Sequence, residues 1–224
     1  TFDVLDENGK VYSNGSSNPF IADSLLSHPI RLVDEDGSRL TPADSLYFSF
    51  YYQPQGNGDA PDENDSLVLM FGNVTDTAVI WNHIWSSEGM TLETFMANND
   101  DSYFKQVMIP VTDEKYFEND LIILFYNYGT LPSTAYPNDR ANGDNWNVDF
   151  IYLNKNRSYD DTSYPLVTFS ERSPSLLKRY QSMPYKQYVS NPAVTMKSDY
   201  EMYIANLDRE GCNTQYTLHV EDMN

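Results

Sequence analysis

Two acidic loops contain the residues of this chain whose types and spacing are best suited to hold a metal ion. The first loop, 56–65, supplies four carboxylates and the second, 138–145, supplies two: Asp59, Asp62, Glu63 and Asp65, then Asp139 and Asp144. Calcium takes about six to eight oxygen ligands, often from loops that glycine allows to bend sharply. Neither loop has the spacing of an EF-hand, and acidic turns without a metal ion are common. The sequence leaves two interpretations open, a calcium site or solvated acidic turns.

Four aromatic side chains form the second set of candidate binding residues: Trp81, Trp85, Trp146 and Tyr51. Sugar rings stack on flat aromatic faces, so these residues are compatible with carbohydrate binding. Aromatic side chains also fill the cores of folded domains, where they bury large apolar areas. Periodicity does not say which sheet face is exposed, so both roles stay open.

No set of residues has the spacing of a known catalytic motif. The three histidines, His28, His83 and His219, lie in separate predicted elements, and Cys212 follows a turn glycine without a recognisable histidine partner. The chain has no Gly-x-Ser-x-Gly elbow and no phosphate-binding loop. We therefore assign no catalytic residue and predict that the protein is not an enzyme. A carboxylate pair such as Asp144 and Asp149 in a groove keeps a β-sandwich glycoside hydrolase as an alternative.

Composition restricts the classes of partner. The chain carries 33 acidic and 14 basic residues, a net charge of −19. This balance argues against nucleic-acid binding, because phosphate contacts need clustered Lys and Arg. A single cysteine rules out a disulfide within the chain. No apolar run approaches the ~20 residues of a membrane helix, so we predict no transmembrane segment.

The segments that position these residues are predicted to be β-strands. Apolar and aromatic residues alternate on both sides of the first acidic loop, which predicts an inward face made of Leu46, Phe48, Phe50 and Tyr52, then Leu67, Leu69 and Phe71. Further strands are predicted over 79–85, 104–111, 121–128 and 146–153. In the strand 79–85, one face is predicted to carry Val79, Trp81, His83 and Trp85. In the strand 146–153, one face is predicted to carry Trp146, Val148, Phe150 and Tyr152. No convincing amphipathic helix appears. The pattern is typical of an all-β jelly-roll β-sandwich over 1–154.

The composition changes after residue 154. Residues 155–165 are polar and predict a linker, and apolar residues resume at 166. We expect 166–224 to be the start of a second, immunoglobulin-like β-domain or an extension packed against the first. Because the chain begins at Thr1 and ends just after a predicted strand, we expect a processed protein or a fragment of a longer one.

A family resemblance rests on four short motifs. They are 65–69 (DSLVL), 81–85 (WNHIW), 104–109 (FKQVMI) and 144–153 (DNWNVDFIYL). Their order resembles the MAM-type jelly-roll module and its concanavalin-like relatives, although the disulfides common in animal MAM modules are missing. The segment 50–56 (FYYQPQG) ahead of 65–69 is more similar to large surface proteins of Bacteroidota, of the type exported by the type IX secretion system. This resemblance implies an exported, cell-surface protein associated with the Gram-negative outer membrane.

We therefore predict a non-catalytic binding or assembly protein of the cell surface or envelope. Its partner is expected to be another protein of the envelope or a glycan. The alternatives are a carbohydrate-binding module and a β-sandwich glycoside hydrolase.

Overall fold

The computed structural model describes residues 1–131, 143–161, 167–169, 173–208 and 211–217. The chain forms two units, Thr1–Asp161 and Thr162–Asn224. The first unit contains seven strands, one 3-10 helix and two short α-helices among its described residues: β1 Phe20–Leu26, the 3-10 helix Pro42–Asp44, β2 Tyr47–Pro54, β3 Ser66–Val74, β4 Val79–Glu88, α1 Leu92–Ala97, β5 Lys105–Pro110, α2 Lys115–Glu118, β6 Leu121–Gly129 and β7 Trp146–Asn154.

These strands form two antiparallel sheets, with the orders β1-β6-β3-β4 and β5-β2-β7. Aromatic side chains of the two sheets pack against each other: the ring centroids of Phe48 and Phe71 are 5.5 Å apart, and those of Phe50 and Phe125 are 4.8 Å apart. Burial of each such side chain contributes about 1.5–3 kcal/mol. The predicted inward residues of β2 and β3 are all buried: Leu46, Phe48, Phe50, Tyr52, Leu67, Leu69 and Phe71. The all-β sandwich is confirmed, and the jelly-roll topology stays a prediction.

A β-bulge in β4 corrects the predicted face of that strand. Leu69 pairs with Trp85 but Met70 pairs with His83, so Ile84 is an extra residue. The bulge turns Trp85 into the core, where its ring lies 5.1 Å from Phe50. Trp81, paired with Gly72, lies with His83 on the outer side of the sheet. The prediction that these residues share one face with Trp85 is wrong, because one inserted residue inverts a period-two pattern.

A second bulge corrects β7 in the same way. Tyr51 pairs with Asp149 but Ser49 pairs with Tyr152, and Phe150 between them has a φ of 47°. Trp146 therefore points inward, whereas Tyr152 lies on the outer face beside Ser49. The prediction of a single face from Trp146 to Tyr152 is wrong.

The outer face of the three-stranded sheet is covered by Arg157. This side chain is 6% exposed, donates to Ser49 Oγ at 2.9 Å and lies 4.5 Å above the Tyr152 ring. Its Nε lies 2.8 Å from an Asp161 carboxylate oxygen. Residues 155–161, assigned to a linker from the sequence, therefore belong to the first unit.

The outer face of the four-stranded sheet is apolar and partly exposed. Ile21 pairs with Tyr128 across β1 and β6, and Leu26 pairs with Leu124 further along the same strands. The fractional exposures are 51% for Ile21, 57% for Leu26, 37% for Tyr128 and 37% for Trp81. Two neighbours on this face, Val68 and Ile122, are buried.

The described part of the second unit contains a two-stranded antiparallel sheet and two short helices: β8 Val167–Phe169, α3 Tyr185–Ser190, α4 Pro192–Thr195 and β9 Ile204–Asn206. Its immunoglobulin-like character stays a prediction. Among the described residues of both units, no helix has the length and apolar character needed to cross a membrane.

Candidate metal centre

The two acidic loops meet in space and contribute to one cluster. Asp62 and Asp65 come from the loop before β3, and Asp144 comes from the loop before β7. Each side chain offers one carboxylate oxygen, and these oxygens lie within 4.8 Å of one another. We call Asp62, Asp65 and Asp144 the acidic trio. The predicted residue Asp139 lies outside the described residues.

A tight turn holds Asp62 beside Asp65. The backbone N–H of Asp65 donates to the Asp62 carbonyl at 2.9 Å, and the backbone N–H of Asp62 donates to Asp65 Oδ2 at 2.7 Å. Gly89 lies against this turn, since a Cβ placed there would lie 1.8 Å from the Asp62 carbonyl oxygen. The close approach of the two backbones therefore requires glycine at position 89.

Asp144 is fixed from the end of β6. Its Oδ2 accepts a hydrogen bond from the Thr130 backbone N–H at 2.9 Å, and its backbone carbonyl accepts one from Asn127 Nδ2 at 3.2 Å. Gly129 leaves room for the carboxylate, because a Cβ there would lie 2.6 Å from Asp144 Oδ2. The backbone of Asp144 is left-handed, with a φ of 55°, a conformation that Asp tolerates better than most residues.

Two carboxyl groups of the trio lie away from water. Asp65 is 1% exposed and Asp144 is 4% exposed. Burial, followed by the charge of Asp65, raises the pKa of Asp144 to about 8, and burial also raises the pKa of Asp65. The pKa of Asp62 is raised by burial and by the Asp65 charge. No Lys, Arg or His of the described residues forms an ion pair with any of the three.

Two buried oxygens at this site accept no hydrogen bond from the described part of the chain, namely Asp65 Oδ1 and Asn127 Oδ1. Asn127 is fully buried. Its Oδ1 lies 3.3 Å from the position that a Gly129 Cβ would take, and Asp144 Oδ2 lies 2.6 Å from the same point. The amide oxygen therefore faces the same space as the carboxylate. Leaving a buried acceptor unsatisfied costs about 1–3 kcal/mol, so a hydrogen-bond donor or a cation beside either oxygen would stabilise the folded state.

The donor set fits calcium. All donors are oxygens, from the trio, from Asn127 and from the Thr130 hydroxyl, which lies 3.5 Å from Asp65 Oδ2. Calcium binds oxygens at about 2.3–2.6 Å, so ligands on opposite sides of the ion are about 5 Å apart, and the trio fits within that span. Zinc and copper prefer nitrogen or sulfur ligands. The competing arrangement is a proton shared between Asp65 and Asp144, as in other close carboxyl pairs.

Two other predicted metal ligands lie outside the trio. Asp59 joins the two loops through its backbone, which donates to Asn145 Oδ1 at 2.8 Å and accepts from the Asn145 N–H at 3.0 Å. Glu63 is exposed on the turn between Asp62 and Asp65. Of the five predicted carboxylates within the described residues, the structure brings together Asp62, Asp65 and Asp144.

The four predicted ligand-binding aromatics do not share a surface. Trp146 is fully buried, and Trp85 packs in the core 4.8 Å from Tyr52. Trp81 lies on the outer face of the four-stranded sheet, whereas Tyr51 lies on the outer face of the three-stranded sheet, paired with Asp149.

The sequence analysis did not predict Asn127 and Thr130 as residues of the site. The available signal was an amide within the otherwise apolar run of β6 (LIILFYNYG). An uncharged polar residue in a central strand needs a buried partner, which marks such a position as part of a site.

This chain matched no protein-family model, no curated protein and no solved structure in the comparisons. The MAM-like and Bacteroidota resemblance therefore stays a prediction.

Proposed function

We propose that this protein is a non-catalytic binding or assembly module of an exported, cell-surface or envelope-associated protein, and that calcium holds its ligand-presenting loops in place. The observation that carries the proposal is the acidic trio: Asp65 and Asp144 are buried, and none of the three carboxylates forms an ion pair with a Lys, Arg or His of the described residues. A divalent cation offsets the charge that burial makes costly.

The expected role of the cation is structural. The trio joins the turn at 62–65, the end of β6 and the residue before β7, which are distant in sequence. A shared ion restricts these segments as a cross-link does, and it stabilises the folded state in proportion to its affinity.

The burial of Asp65 and Asp144 supports a non-catalytic role over the glycoside hydrolase alternative. A glycosidase needs a carboxylic acid and a second carboxylate that both reach the sugar from opposite sides of the scissile bond. Asp65 and Asp144 are 1% and 4% exposed. Asp149, the other member of the pair considered from the sequence, is exposed on β7.

The apolar outer face of the four-stranded sheet supports an assembly role. Ile21, Leu26, Trp81 and Tyr128 expose large apolar side chains there, and exposed apolar patches on monomers often mark interaction sites. The acidic balance of the chain and the family resemblance support export to the cell surface.

Titration of chelator-treated protein with calcium chloride in a calorimeter tests this proposal. We expect one ion per chain, binding lost in Asp65→Asn, and unchanged binding in Asp76→Asn, which removes one exposed carboxylate from the Thr75–Ala78 turn. Heat limited to dilution in the wild-type protein, or equal binding in both variants, would refute it. Magnesium is the control cation, because it demands a tighter octahedral shell at about 2.0–2.1 Å.

A further inference from the structure

A pocket of about 480 Å³ opens beside the first acidic loop. Its walls come from the end of β2, the loop after it, the segment before β5 and the start of β7. This volume lies within the ~300–1,000 Å³ typical of small-molecule sites. We propose that this pocket binds a neutral saccharide, which extends the proposed binding role to a class of ligand and rests on it.

The walls of the pocket carry amide side chains and no Asp, Glu, Lys, Arg or His among the described lining residues. The amides are Gln53, Gln55, Asn57, Asn145 and Asn147. Thr1 also lines the pocket. A lining without charged side chains stands out in a chain with a net charge of −19. An anionic ligand would be repelled by the overall charge, and a cationic ligand would find no counter-charge in the pocket. An aliphatic ligand would leave the Nδ2 of Asn145 and the Nε2 of Gln55 without an acceptor from the ligand.

Two consecutive aromatic residues, Tyr103 and Phe104, line the pocket. Tyr103 is 61% exposed and Phe104 is 36% exposed. Their backbone is anchored, because Gln53 Nε2 donates to the Tyr103 carbonyl and Asn99 Nδ2 donates to the Phe104 carbonyl, each at 3.0 Å. Flat apolar faces next to amides match a sugar, which has an apolar ring face and hydroxyls at its edge.

The amides are fixed in place before any ligand arrives. Gln53 Oε1 accepts from Asn147 Nδ2 at 3.2 Å, and Gln55 Oε1 accepts from the Leu92 backbone N–H at 2.8 Å. Asn145 Oδ1 accepts from Asp59, as described above. The Nδ2 of Asn145 and the Nε2 of Gln55 donate no hydrogen bond to other described residues. They are donors for hydroxyl oxygens, and their fixed geometry lowers the entropic cost of binding.

Two glycines allow the loop to close against these amides. A Cβ at Gly58 would lie 1.9 Å from Asn145 Oδ1, and a Cβ at Gly56 would lie 2.6 Å from Asn147 Nδ2. Gln55 and Gly56 both have left-handed backbones, with φ values of 63° and 58°. The same loop continues into Asp62 and Asp65, so one loop contributes residues to both the metal centre and the pocket.

Calorimetry of the intact protein against cellohexaose, maltohexaose, xylohexaose and mannohexaose tests the inference, with hexagalacturonate as the charged comparison. We expect one-to-one binding of a neutral oligosaccharide and weaker or no binding of the acidic one. Tyr103→Ala and Phe104→Ala should each weaken affinity roughly tenfold, the loss typical of an aromatic anchor. Tyr159→Ala is the matched control, because Tyr159 is 69% exposed elsewhere on the first unit, and its affinity should not change.

Failure of all the neutral oligosaccharides to bind, or preference for hexagalacturonate, would overturn the inference. So would loss of binding in Trp81→Ala with full binding in Tyr103→Ala, because that result would place the sugar on the outer face of the four-stranded sheet. Each titration is run in calcium and in EDTA. If the calcium proposal alone fails, the two buffers give the same affinity and the sugar result stands by itself.

Discussion

Replacement of Asp144 by Asn is expected to stabilise the first unit when calcium is absent and to remove most of the stabilisation that calcium gives the wild type. Without a cation, the pKa of Asp144 is raised from 3.8 to about 8. The folded state then holds a proton that the unfolded state releases, so stability falls as the pH rises between 3.8 and about 8. At about 1.4 kcal/mol for each pKa unit, the ionised carboxylate costs at most about 6 kcal/mol above that window.

The amide introduced by Asp144→Asn would remove this cost. Its oxygen keeps the hydrogen bond from the Thr130 N–H, and its new N–H₂ faces the Asp65 carboxylate, whose Oδ1 has no donor among the described residues. In EDTA at about pH 9 we expect the variant to be more stable than the wild type by about 1–3 kcal/mol. In about 10 mM calcium the wild type should gain about 1.4–2.7 kcal/mol, if its Kd lies at the ~10⁻⁴–10⁻³ M typical of extracellular modules, and the variant should gain little.

Tryptophan fluorescence during thermal unfolding measures both effects, because all three tryptophans lie in the first unit. For a unit of this size, a change of about 1 kcal/mol shifts Tm by about 2–4 °C. Asp76→Asn serves as the charge-matched control and should show the wild-type response to calcium and to pH. A melting temperature of Asp144→Asn below that of the wild type, in EDTA at the same alkaline pH, would show that the buried Asp144 carboxylate does not destabilise the fold. A proton-sharing carboxyl pair without a cation would instead give the same pH dependence in calcium and in EDTA.

Three further predictions concern the framework around the site. Gly89→Ala should destabilise the first unit by several kcal/mol and abolish calcium binding, because a Cβ would lie 1.8 Å from the Asp62 carbonyl oxygen. Gly9→Ala is the comparison in denaturant unfolding, because its added Cβ meets no atom within 4 Å and its cost is limited to the strain of a φ of 70°, about 1–2 kcal/mol. Equal losses in both variants would contradict the close approach at Gly89. Arg157→Met should cost about 1–3 kcal/mol in urea unfolding, since it removes the buried hydrogen bond to Ser49 Oγ and the ion pair with Asp161, whose side chain is 33% exposed, and a cost as small as that of Lys155→Met would show that the Arg157 cover is dispensable. Trp85→Phe should destabilise and Trp81→Phe should not, because only Trp85 packs in the core; equal melting temperatures for the two variants would contradict the bulge at Ile84.

The inward faces of β2 and β3 were predictable because burial on one side imposes a period of two. Phe48, Phe50, Leu67 and Leu69 obey it without interruption and are buried. The faces of β4 and β7 were not predictable, because bulges at Ile84 and Phe150 invert the alternation. Neither position is Gly or Pro, so nothing local marks the change of phase.

The candidate site was also predictable only in part. The composition of the two loops identified them as rich in oxygen ligands, and Asp62, Asp65 and Asp144 were among the predicted metal ligands. Their convergence depends on β3 pairing with β6, which brings segments far apart in the sequence to one edge of the sandwich. The pocket at Tyr103 and Phe104 was missed for a related reason, since its amides come from strands that are adjacent only after β2 pairs with β7.

The most direct measurement of the central claim is an anomalous difference map from crystals grown in calcium chloride, recorded at a wavelength where calcium scatters anomalously. We expect one strong peak about 2.3–2.6 Å from carboxylate oxygens of Asp62, Asp65 and Asp144. Density at those three side chains without an anomalous peak would contradict it.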